Sequence, residues 1–306
     1  MPNVFDLTIL GSNSSYPSNG RMCTSQILRL DQNLFMIDCG EGTQIQLSKY
    51  GIQRNKIKAI FLSHFHGDHL YGLPGVITSY MHFGRKEPLH IFGPVGLKKY
   101  IEAIFEVSNV YLQFELILIE TIWDVPGLIY EDQQLQVFNF PLDHRIPTQG
   151  FIFKTKEPHR NIITENIQKF GLTHEEIKEL KCGNTIIKSD GKKVTPDDVC
   201  HPPKPICTYV FASDTKPISN FPELAYGCNL LYHEATYLAD LETLAIERGH
   251  STSTHAATAA KSLQAKKLIL GHYSSRYDDL GPFLTESKLV FENTFLAIDG
   301  ETHAIN

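Results

Sequence analysis

Hydrophobic and polar positions along the chain follow two periodicities. Short runs rich in β-branched and aromatic residues predict strands, and longer stretches with apolar residues three or four positions apart predict helices. Strands interleaved with helices indicate a layered α/β protein. The predicted strands are DLTILG, TSQILRL, NLFMIDCG, KAIFLSH, LHIFGP, QVFNFPLDH, GFIFKTK, TYVFASD, NLLYHEAT, KLILGHYSS and TFLAIDG, and the predicted helices are EGTQIQLSKYG, LYGLPGVITSYMH, GLKKYIEAIFEVS and STHAATAAKSLQA.

One polar segment interrupts this pattern between residues 156 and 204. It contains the turn signals Ser189-Asp190-Gly191 and Pro202-Pro203 and lies between two strongly predicted strands. Such a segment is typical of an insertion that extends from the main body of a domain. We therefore predict an arm at 156–204, inserted into a single domain that spans residues 1–306.

Composition and charge make several classes of protein unfavourable interpretations of this sequence. No apolar run approaches the roughly 18 residues that a membrane span requires. The N-terminus, MPNVFDLTIL, lacks the basic region of a signal peptide, so we predict a cytoplasmic protein without a membrane partner. The formal charge of -6 does not favour general nucleic-acid binding, so any polyanion site must be local. The six cysteines form no C-x-x-C pair and are predicted to be reduced thiols.

The stretch FLSHFHGDHLYGLPG carries the strongest chemical signal. His64, His66, Asp68 and His69 lie within six consecutive positions, 64–69, at the end of a predicted strand. In an extended loop His64 and His66 point to one side, and the turn at Gly67 brings the other two to the same place. Imidazole and carboxylate donors without thiolate suit zinc and other first-row divalent ions. We therefore predict a metal site at this strand end.

This cluster has too many ligands for one tetrahedral ion and too few for two. Three other predicted strands end in a possible ligand, namely His144, Asp214 and His272. Each has a simpler explanation on its own, such as a hydrogen bond, a turn cap or a structural role. Because α/β folds gather functional side chains at strand ends, the three together complete the ligand set.

The string SHFHGDH resembles the H-x-H-x-D-H signature of the metallo-β-lactamase fold, and the donor array resembles that of its two-metal hydrolases. The resemblance implies an α/β fold, an αββα sandwich of the metallo-β-lactamase type. It implies that one ion is held by His64, His66 and His144, the other by Asp68, His69 and His272, with Asp214 bridging and Asp38 supporting the site from behind the ligands. A histidine at position 66 favours hydrolysis over the di-iron oxidoreductase branch, which carries Glu there.

Further strings resemble the ribonuclease Z family of tRNA 3′-processing endoribonucleases. They are IDCGEGTQIQL, SHFHGDHLYGLPG, IFGPVGL, HEAT, GHST and GHYSSRYDD, in the family's order along nearly the whole chain, and the length matches the short form. The resemblance implies two Zn²⁺ per subunit, with Mn²⁺ or another divalent ion as the alternative. It also implies precursor tRNA as the partner, the arm at 156–204 as a flexible tRNA-binding exosite, and a homodimer. The helix LYGLPGVITSYMH is apolar enough for a dimer interface, although a place in the core is the simpler interpretation.

The resemblance also assigns catalytic roles. Glu234 in HEAT orients His250 in GHST, which protonates the departing ribose 3′-oxygen; an ordinary buried ion pair is the alternative for these two residues. Asp68 accepts the proton of the attacking water. Arg276 lies near the scissile phosphate, with a surface salt bridge as its alternative.

Substrate-binding assignments also come from the N-terminal loop YPSNGRM. Its Pro17 and Arg21 match the family's P-x-K/T-x-R-N loop, but Met22 replaces the asparagine. A second departure is in the arm, where His174-Glu175 stands in place of the family's Gly-Pro element. These two differences concern the choice of cleavage position and the grip on tRNA.

The sequence thus predicts a zinc-dependent endoribonuclease that cleaves the 3′ trailer from precursor tRNA, leaving a tRNA 3′-hydroxyl and a trailer 5′-phosphate. In the predicted mechanism a metal-bound hydroxide attacks the phosphodiester. One alternative is a small-molecule phosphodiesterase or lactonase of the same fold. Another is a non-catalytic RNA-binding module, which would have little use for both an open metal position and a proton donor. An arm of about 50 residues exceeds ordinary loop lengths and favours a large substrate.

Overall fold

The computed structural model describes residues 4–157, 160–203 and 205–306. It divides into two compact units. Unit 1 consists of Met1–Tyr130, Val137–Phe153 and Thr208–Asn306, and unit 2 of Glu131–Gln136 and Lys154–Cys207. The role of residues 156–204 as a tRNA exosite stays a prediction.

The strands, in chain order, are β1 (Phe5–Gly11), β2 (Ser25–Leu30), β3 (Asn33–Cys39), β4 (Ile57–Phe61), β5 (Leu89–Pro94), β6 (Leu116–Thr121), β7 (Gly127–Glu131), β8 (Leu135–Pro141), β9 (Gln149–Thr155), β10 (Ile186–Ile187), β11 (Lys193–Val194), β12 (Thr208–Ala212), β13 (Leu230–Glu234), β14 (Leu268–Gly271), β15 (Thr294–Leu296) and β16 (Thr302–Ala304). One seven-stranded sheet has the order β16-β1-β2-β3-β4-β5-β6, and the other the order β15-β14-β13-β12-β9-β8-β7. The runs β3 to β6 and β12 to β15 are parallel. The parallel strands of each sheet end at one edge of that sheet. The candidate metal-donor residues lie in the segments that follow the ends of strands.

The helices are α1 (Thr43–Lys49), α2 (Gly67–Leu70), α3 (Leu73–His82), α4 (Leu97–Val107), α5 (Thr164–Lys169), α6 (His174–Lys181), α7 (Pro196–Val199), α8 (Glu242–Arg248), α9 (Ser253–Ser262) and α10 (Gly281–Lys288). Leu47 of α1, Val76 of α3 and Leu97 of α4 belong to one buried cluster with Met36 and Ile60 of the first sheet. These helices therefore cover one face of that sheet. The apolar side of α3 lies in this core, as the simpler interpretation of its sequence predicted.

Aromatic side chains fill the space between the two sheets. Phe61 of β4 lies 5.8 Å from Phe151 and 5.3 Å from Phe153 of β9, measured between ring centroids. All three rings are fully buried. On the second sheet, α9 contacts β13 and β14, and α10 contacts β15. This arrangement of helices outside two packed sheets agrees with the predicted αββα sandwich.

Several predicted elements differ in detail. LYGLPGVITSYMH was predicted as one helix, but α2 ends at Leu70 and α3 begins at Leu73, with Gly72 between them. The strands β6 and β7 were not predicted, because a half-exposed apolar run at the edge of a sheet shows no clear period. The segment TFLAIDG forms a strand only over Thr294–Leu296. The six cysteines form no disulfide among the described residues, and five of them are buried.

Two glycines allow the end of β3 to approach the metal-ligand segment closely. A Cβ on Gly40 would lie 2.2 Å from the carbonyl oxygen of Asp68, and a Cβ on Gly72 would lie 2.1 Å from the carbonyl oxygen of Gly40. The Gly72 N–H also donates to the Cys39 carbonyl at 2.9 Å. Only residues without a side chain fit this contact, which holds α2 against the end of β3, the strand that carries Asp38.

Unit 2 has its own small core. Leu180, Val194, Val199 and Cys200 are buried together, and Phe170 packs against them. The strands β10 and β11 pair antiparallel, and a capping box starts α6 at Thr173 and Glu176. The polar segment of the sequence therefore contains regular structure despite its composition. None of the helices in the described ranges is long and apolar enough to cross a bilayer.

The glycine contact leads to a stability prediction. Gly72→Ala forces a methyl group into the backbone of Gly40 and is expected to lower the free energy of unfolding by about 1–3 kcal/mol. Gly75→Ala, in the first turns of α3, meets only the flexible Gln44 side chain at 3.3 Å and gains helix propensity. Urea denaturation of both variants checks this; equal stability of the two would contradict the proposed close contact.

Candidate metal centre

Four strand ends of unit 1 deliver the predicted ligands to one place. His64 and His66 follow β4, and His66 is the N-cap residue of α2, whose first turn carries Asp68 and His69. The other three donors, His144, Asp214 and His272, follow β8, β12 and β14, respectively. The structure brings all seven predicted side chains together.

The first donor set consists of His64, His66, His144 and Asp214. The Nδ1 atom of His66 lies 3.1 Å from Nε2 of His64 and 3.2 Å from Nε2 of His144. Oδ2 of Asp214 lies 3.5 Å from Nε2 of His64 and 3.8 Å from Nε2 of His144. Two ligands bound 2.0–2.1 Å from a tetrahedral ion are roughly 3.4 Å apart. The spacing of this set therefore fits one ion.

The second donor set consists of Asp68, His69 and His272. Nε2 of His272 lies 3.2 Å from Nε2 of His69 and 3.3 Å from Oδ2 of Asp68. Oδ2 of Asp68 is 3.7 Å from Nε2 of His69. These distances also match those between ligands of a common ion.

Asp214 lies between the two sets. Its Oδ2 atom faces the first set, and its Oδ1 atom lies 3.2 Å from Nε2 of both His69 and His272 in the second. Oδ1 is fully buried and accepts no hydrogen bond from the described residues. A buried carboxylate oxygen is expensive to leave unpaired. A cation on each side of Asp214 satisfies both oxygens, so the residues present fit a pair of metal ions.

The titration behaviour of most of the cluster supports this fit. The exception is His69: burial acts to lower its pKa, but the neighbouring carboxylates outweigh burial and raise it. Burial lowers the pKa of His66 and of His144 to about 4, with neighbouring imidazoles adding to the effect. Burial acts against ionisation of Asp68 and Asp214, but the surrounding histidines outweigh it and hold the pKa of both carboxyls below its ordinary range. Neutral imidazoles and ionised carboxylates are the forms that bind metal.

Asp38, the predicted supporting residue, is hydrogen-bonded to a member of the second set. Its Oδ2 atom accepts a hydrogen bond from Nδ1 of His69 at 2.7 Å, and its Oδ1 atom accepts from the Ser63 N–H at 2.7 Å. Asp38 and His272 both take left-handed backbone conformations, with φ of 55° and 60°. For residues other than glycine this costs on the order of 1–3 kcal/mol, which surrounding contacts must overcome.

The predicted proton-donor pair is buried next to the ligands. Nδ1 of His250 donates to Oε1 of Glu234 at 2.9 Å. Burial disfavours the imidazolium, but the Glu234 carboxylate outweighs burial and raises the pKa of His250. The His250 ring lies 5.1 Å from that of His144 and 5.4 Å from that of His272, and one of its nitrogens groups with the ligand atoms of Asp214 and His272. His250 therefore faces the space between the two donor sets.

Two of the residues predicted to contact substrate, Arg276 and Arg21, differ in exposure. Arg276 is exposed, and its guanidinium lies 5.1 Å from the ring of Tyr237, which packs beside His250. Arg21 is buried and donates to Oδ1 of Asn13 and to the Tyr277 carbonyl. In this structure Arg21 thus ties the N-terminal loop to the segment that carries Arg276.

Pro17 is half-buried within the same N-terminal loop. The backbone N–H of Ser15, two residues before it, donates to Oδ2 of Asp68 at 2.6 Å. Nothing in the sequence marked Ser15, because this contact uses the backbone and depends on a left-handed residue with φ of 65°. The loop is therefore linked directly to a candidate ligand, while direct RNA contacts by Pro17, Arg21 and Arg276 stay predictions.

Comparison with known proteins shows full-length similarity. A ribonuclease Z from Cytophaga hutchinsonii is 38% identical over 303 residues, covering 99% of this chain and 96% of that protein. The crystal structure of human tRNase Z, short form, superposes with a TM-score of 0.70 at 29% identity, covering 98% and 99% of the two chains. The metallo-β-lactamase fold protein YhfI from Bacillus subtilis has a TM-score of 0.69 at 16% identity, covering 99% of both chains, which shows the shared fold alone.

A family model gives a partial match. The model described as Anti-Pycsar protein Apyc1 matches residues 5–144. This range contains the first five of the seven candidate ligands and ends at His144, before Asp214 and His272. The match therefore covers candidate ligands of both donor sets but leaves out Asp214 and His272.

The bridging position of Asp214 generates a metal-binding prediction. Asp214→Ala removes the carboxylate shared by both donor sets and is expected to lower the bound metal to about half of the wild-type content or less. Asp124→Ala, an exposed aspartate, serves as the matched control. Elemental analysis after reloading with zinc measures the content. An Asp214→Ala protein that retains the full wild-type metal content would contradict the bridging assignment.

Proposed function

This chain belongs to the ribonuclease Z family, and from that membership we propose that it is a zinc-dependent endoribonuclease that removes the 3′ trailer from precursor tRNA. The products are a tRNA with a 3′-hydroxyl and a trailer with a 5′-phosphate. The observation that carries the proposal is the convergence of both metal-donor sets and the Glu234–His250 pair at one edge of the two sheets. A non-catalytic RNA-binding module has no use for that combination.

Two divalent ions fit the centre. His64, His66 and His144 would hold one, Asp68, His69 and His272 would hold the other, and Asp214 would be shared by both. When bound, such ions lower the pKa of a coordinated water and stabilise charge on the phosphodiester oxygens. The nitrogen and carboxylate donors favour Zn²⁺, with Mn²⁺ or another divalent ion as the alternative.

Side chains of the protein accept and donate the protons that the reaction transfers. The bond from phosphorus to the ribose 3′-oxygen breaks as the water oxygen attacks phosphorus. Asp68 accepts the proton that the water releases. His250, with Nδ1 fixed by Glu234, donates a proton from Nε2 to the departing 3′-oxygen, which becomes the hydroxyl. The raised pKa of His250 favours the protonated form that this step needs.

Unit 2 supplies contacts to the tRNA backbone in this proposal. Residues 151–206 contain ten Lys or Arg against eight Asp or Glu. Lys169 and Lys192 lie 5.6 Å and 5.0 Å from the ring of Phe170 and have no carboxylate partner among the described residues. Arg160, in contrast, is paired with Asp197. Cations without a carboxylate partner can neutralise phosphates, which favours the lysines over Arg160 as tRNA contacts.

Three further features belong to the proposal. The enzyme acts as a homodimer and in the cytoplasm, and Arg276 lies near the scissile phosphate. Arg276 fits this role because its guanidinium is exposed and stacked on Tyr237, next to His250. Pro17 and Arg21 shape the loop that approaches the RNA end, with Arg21 acting through its contacts to Asn13 and Tyr277.

Deleting the arm tests the substrate class. The Thr155 N–H donates to the Cys207 carbonyl at 2.9 Å, so a short Gly-Ser linker can replace residues 157–205. We expect the deletion to lower kcat/KM for precursor tRNA by about tenfold or more, because phosphate contacts are lost. Hydrolysis of a small phosphodiester should persist, whereas His66→Ala should lose both activities. Unchanged tRNA processing by the deletion variant would favour a small-molecule phosphodiesterase or lactonase.

The role of His250 yields a separate kinetic prediction. His250→Ala is expected to retain both ions and to lower kcat on precursor tRNA by about 100-fold or more, as for loss of a general acid. His82→Ala, an exposed histidine at the end of α3, is the control. Single-turnover kinetics with metal analysis measures both quantities. Wild-type turnover by a metal-replete His250→Ala protein would leave His250 with a structural role only.

A further inference from the structure

Each histidine of the centre uses one ring nitrogen toward the ions, and for four of them the other nitrogen has a fixed partner. Nδ1 of His69 contacts Asp38, and Nδ1 of His144 contacts the Gly249 carbonyl at 2.7 Å. For His64 and His272 the partner is instead a hydroxyl. Ser63 Oγ lies 2.9 Å from Nδ1 of His64, and Thr236 Oγ1 lies 2.9 Å from Nδ1 of His272.

The direction of these hydrogen bonds follows from the next partner. Thr236 Oγ1 lies 2.8 Å from Oε2 of Glu234, and an ionised carboxylate can only accept. Burial opposes ionisation of Glu234, but His250 outweighs it and lowers the pKa of the carboxyl. The Thr236 hydroxyl therefore donates to Glu234, and its lone pair accepts the Nδ1 proton of His272.

This chain of hydrogen bonds fixes the tautomer of His272. With the proton on Nδ1, the lone pair is on Nε2. Nε2 lies 3.2 Å from Oδ1 of Asp214 and 3.3 Å from Oδ2 of Asp68, on the side of the second donor set. The hydroxyl of Thr236 thus holds His272 in the state and orientation that a metal ligand requires.

The same arrangement occurs on the first set. Ser63 Oγ lies 2.8 Å from Oδ2 of Asp38, so the serine hydroxyl donates to that carboxylate and accepts from Nδ1 of His64. His64 is fully buried, as are Asp38 and Ser63. Each donor set therefore contains one histidine that reaches a buried carboxylate through a single hydroxyl.

We propose that Thr236 and Ser63 are positioning residues, each selective for one ion: Thr236 orients His272 for the second ion, and Ser63 orients His64 for the first. The proposal rests on the two-ion centre put forward above. It has a consequence for Glu234, whose Oε1 atom receives His250 while its Oε2 atom receives Thr236. One carboxylate then serves both the proton donor and the second ion.

The test compares stepwise zinc affinities, measured by competition with a chromophoric chelator. Thr236→Val removes the hydroxyl at nearly constant volume and is expected to weaken the second ion by about 10- to 100-fold, with the first ion close to wild type. Ser63→Ala is expected to do the reverse. Anomalous diffraction at the zinc edge shows which position loses occupancy. Thr236→Ser keeps the hydroxyl and should restore wild-type affinity.

Thr294→Val is the matched control. The Thr294 hydroxyl is also buried, but it donates to the Phe291 carbonyl, and Thr294 pairs with Leu268 at the end of β14 remote from His272. This variant should bind both ions as the wild type does. If Thr236→Val does not fold without metal, Thr236→Ala removes the same hydroxyl without adding atoms and replaces it in the comparison.

Specific outcomes overturn the inference. Wild-type affinity for both ions in the Thr236→Val protein, loss of the first ion instead of the second, or failure of Thr236→Ser to restore binding would each do so. A wild-type chain that binds no metal would overturn the proposed centre together with this inference. A wild-type chain that binds two ions and cleaves precursor tRNA, beside a Thr236→Val protein of equal affinity, would overturn the inference alone.

Discussion

The buried carboxylate of Asp214 is the constraint on which the centre depends. One of its oxygens faces His64 and His144, and the other faces His69 and His272 without receiving a hydrogen bond from the described residues. An ionised carboxylate in such a place requires nearby positive charge. The surrounding imidazoles are candidate ligands as well as neighbours, so the two cations of the proposed centre would balance this charge in a way that a single hydrogen bond cannot.

Parallel strands and close backbone contacts place the candidate ligands around Asp214. The parallel strands of the second sheet end at the same edge, so Asp214 and His272 arrive together although they are far apart in sequence. The contact between Gly40 and Gly72 then presses α2, with its two ligands, against the site. Two fully buried carboxylates, Asp38 and Glu234, orient a candidate ligand and the proposed proton donor, respectively.

Part of this arrangement could be predicted from the sequence for a physical reason. The ligands of SHFHGDH are local, and His144, Asp214 and His272 follow recognisable strands; for Asp214 and His272 the convergence follows from the geometry of a parallel sheet. The hydroxyls of Ser63 and Thr236 could not be identified, because Ser and Thr are common and only the three-dimensional contacts distinguish these two. Arg21 carried a motif signal, but its burial depends on distant residues such as Tyr277. Strands β6 and β7 lie at sheet edges and are half-exposed, so their sequences show no clear hydrophobic period.

Cleavage of a 5′-labelled precursor tRNA, mapped to the nucleotide, tests the central claim most directly. Metal-replete protein should release a tRNA ending in a 3′-hydroxyl at the discriminator boundary or just after CCA, and the His66→Ala protein should leave the precursor intact. An intact precursor with the wild-type protein, alongside hydrolysis of a small phosphodiester or lactone, would contradict the assignment of precursor tRNA as the substrate.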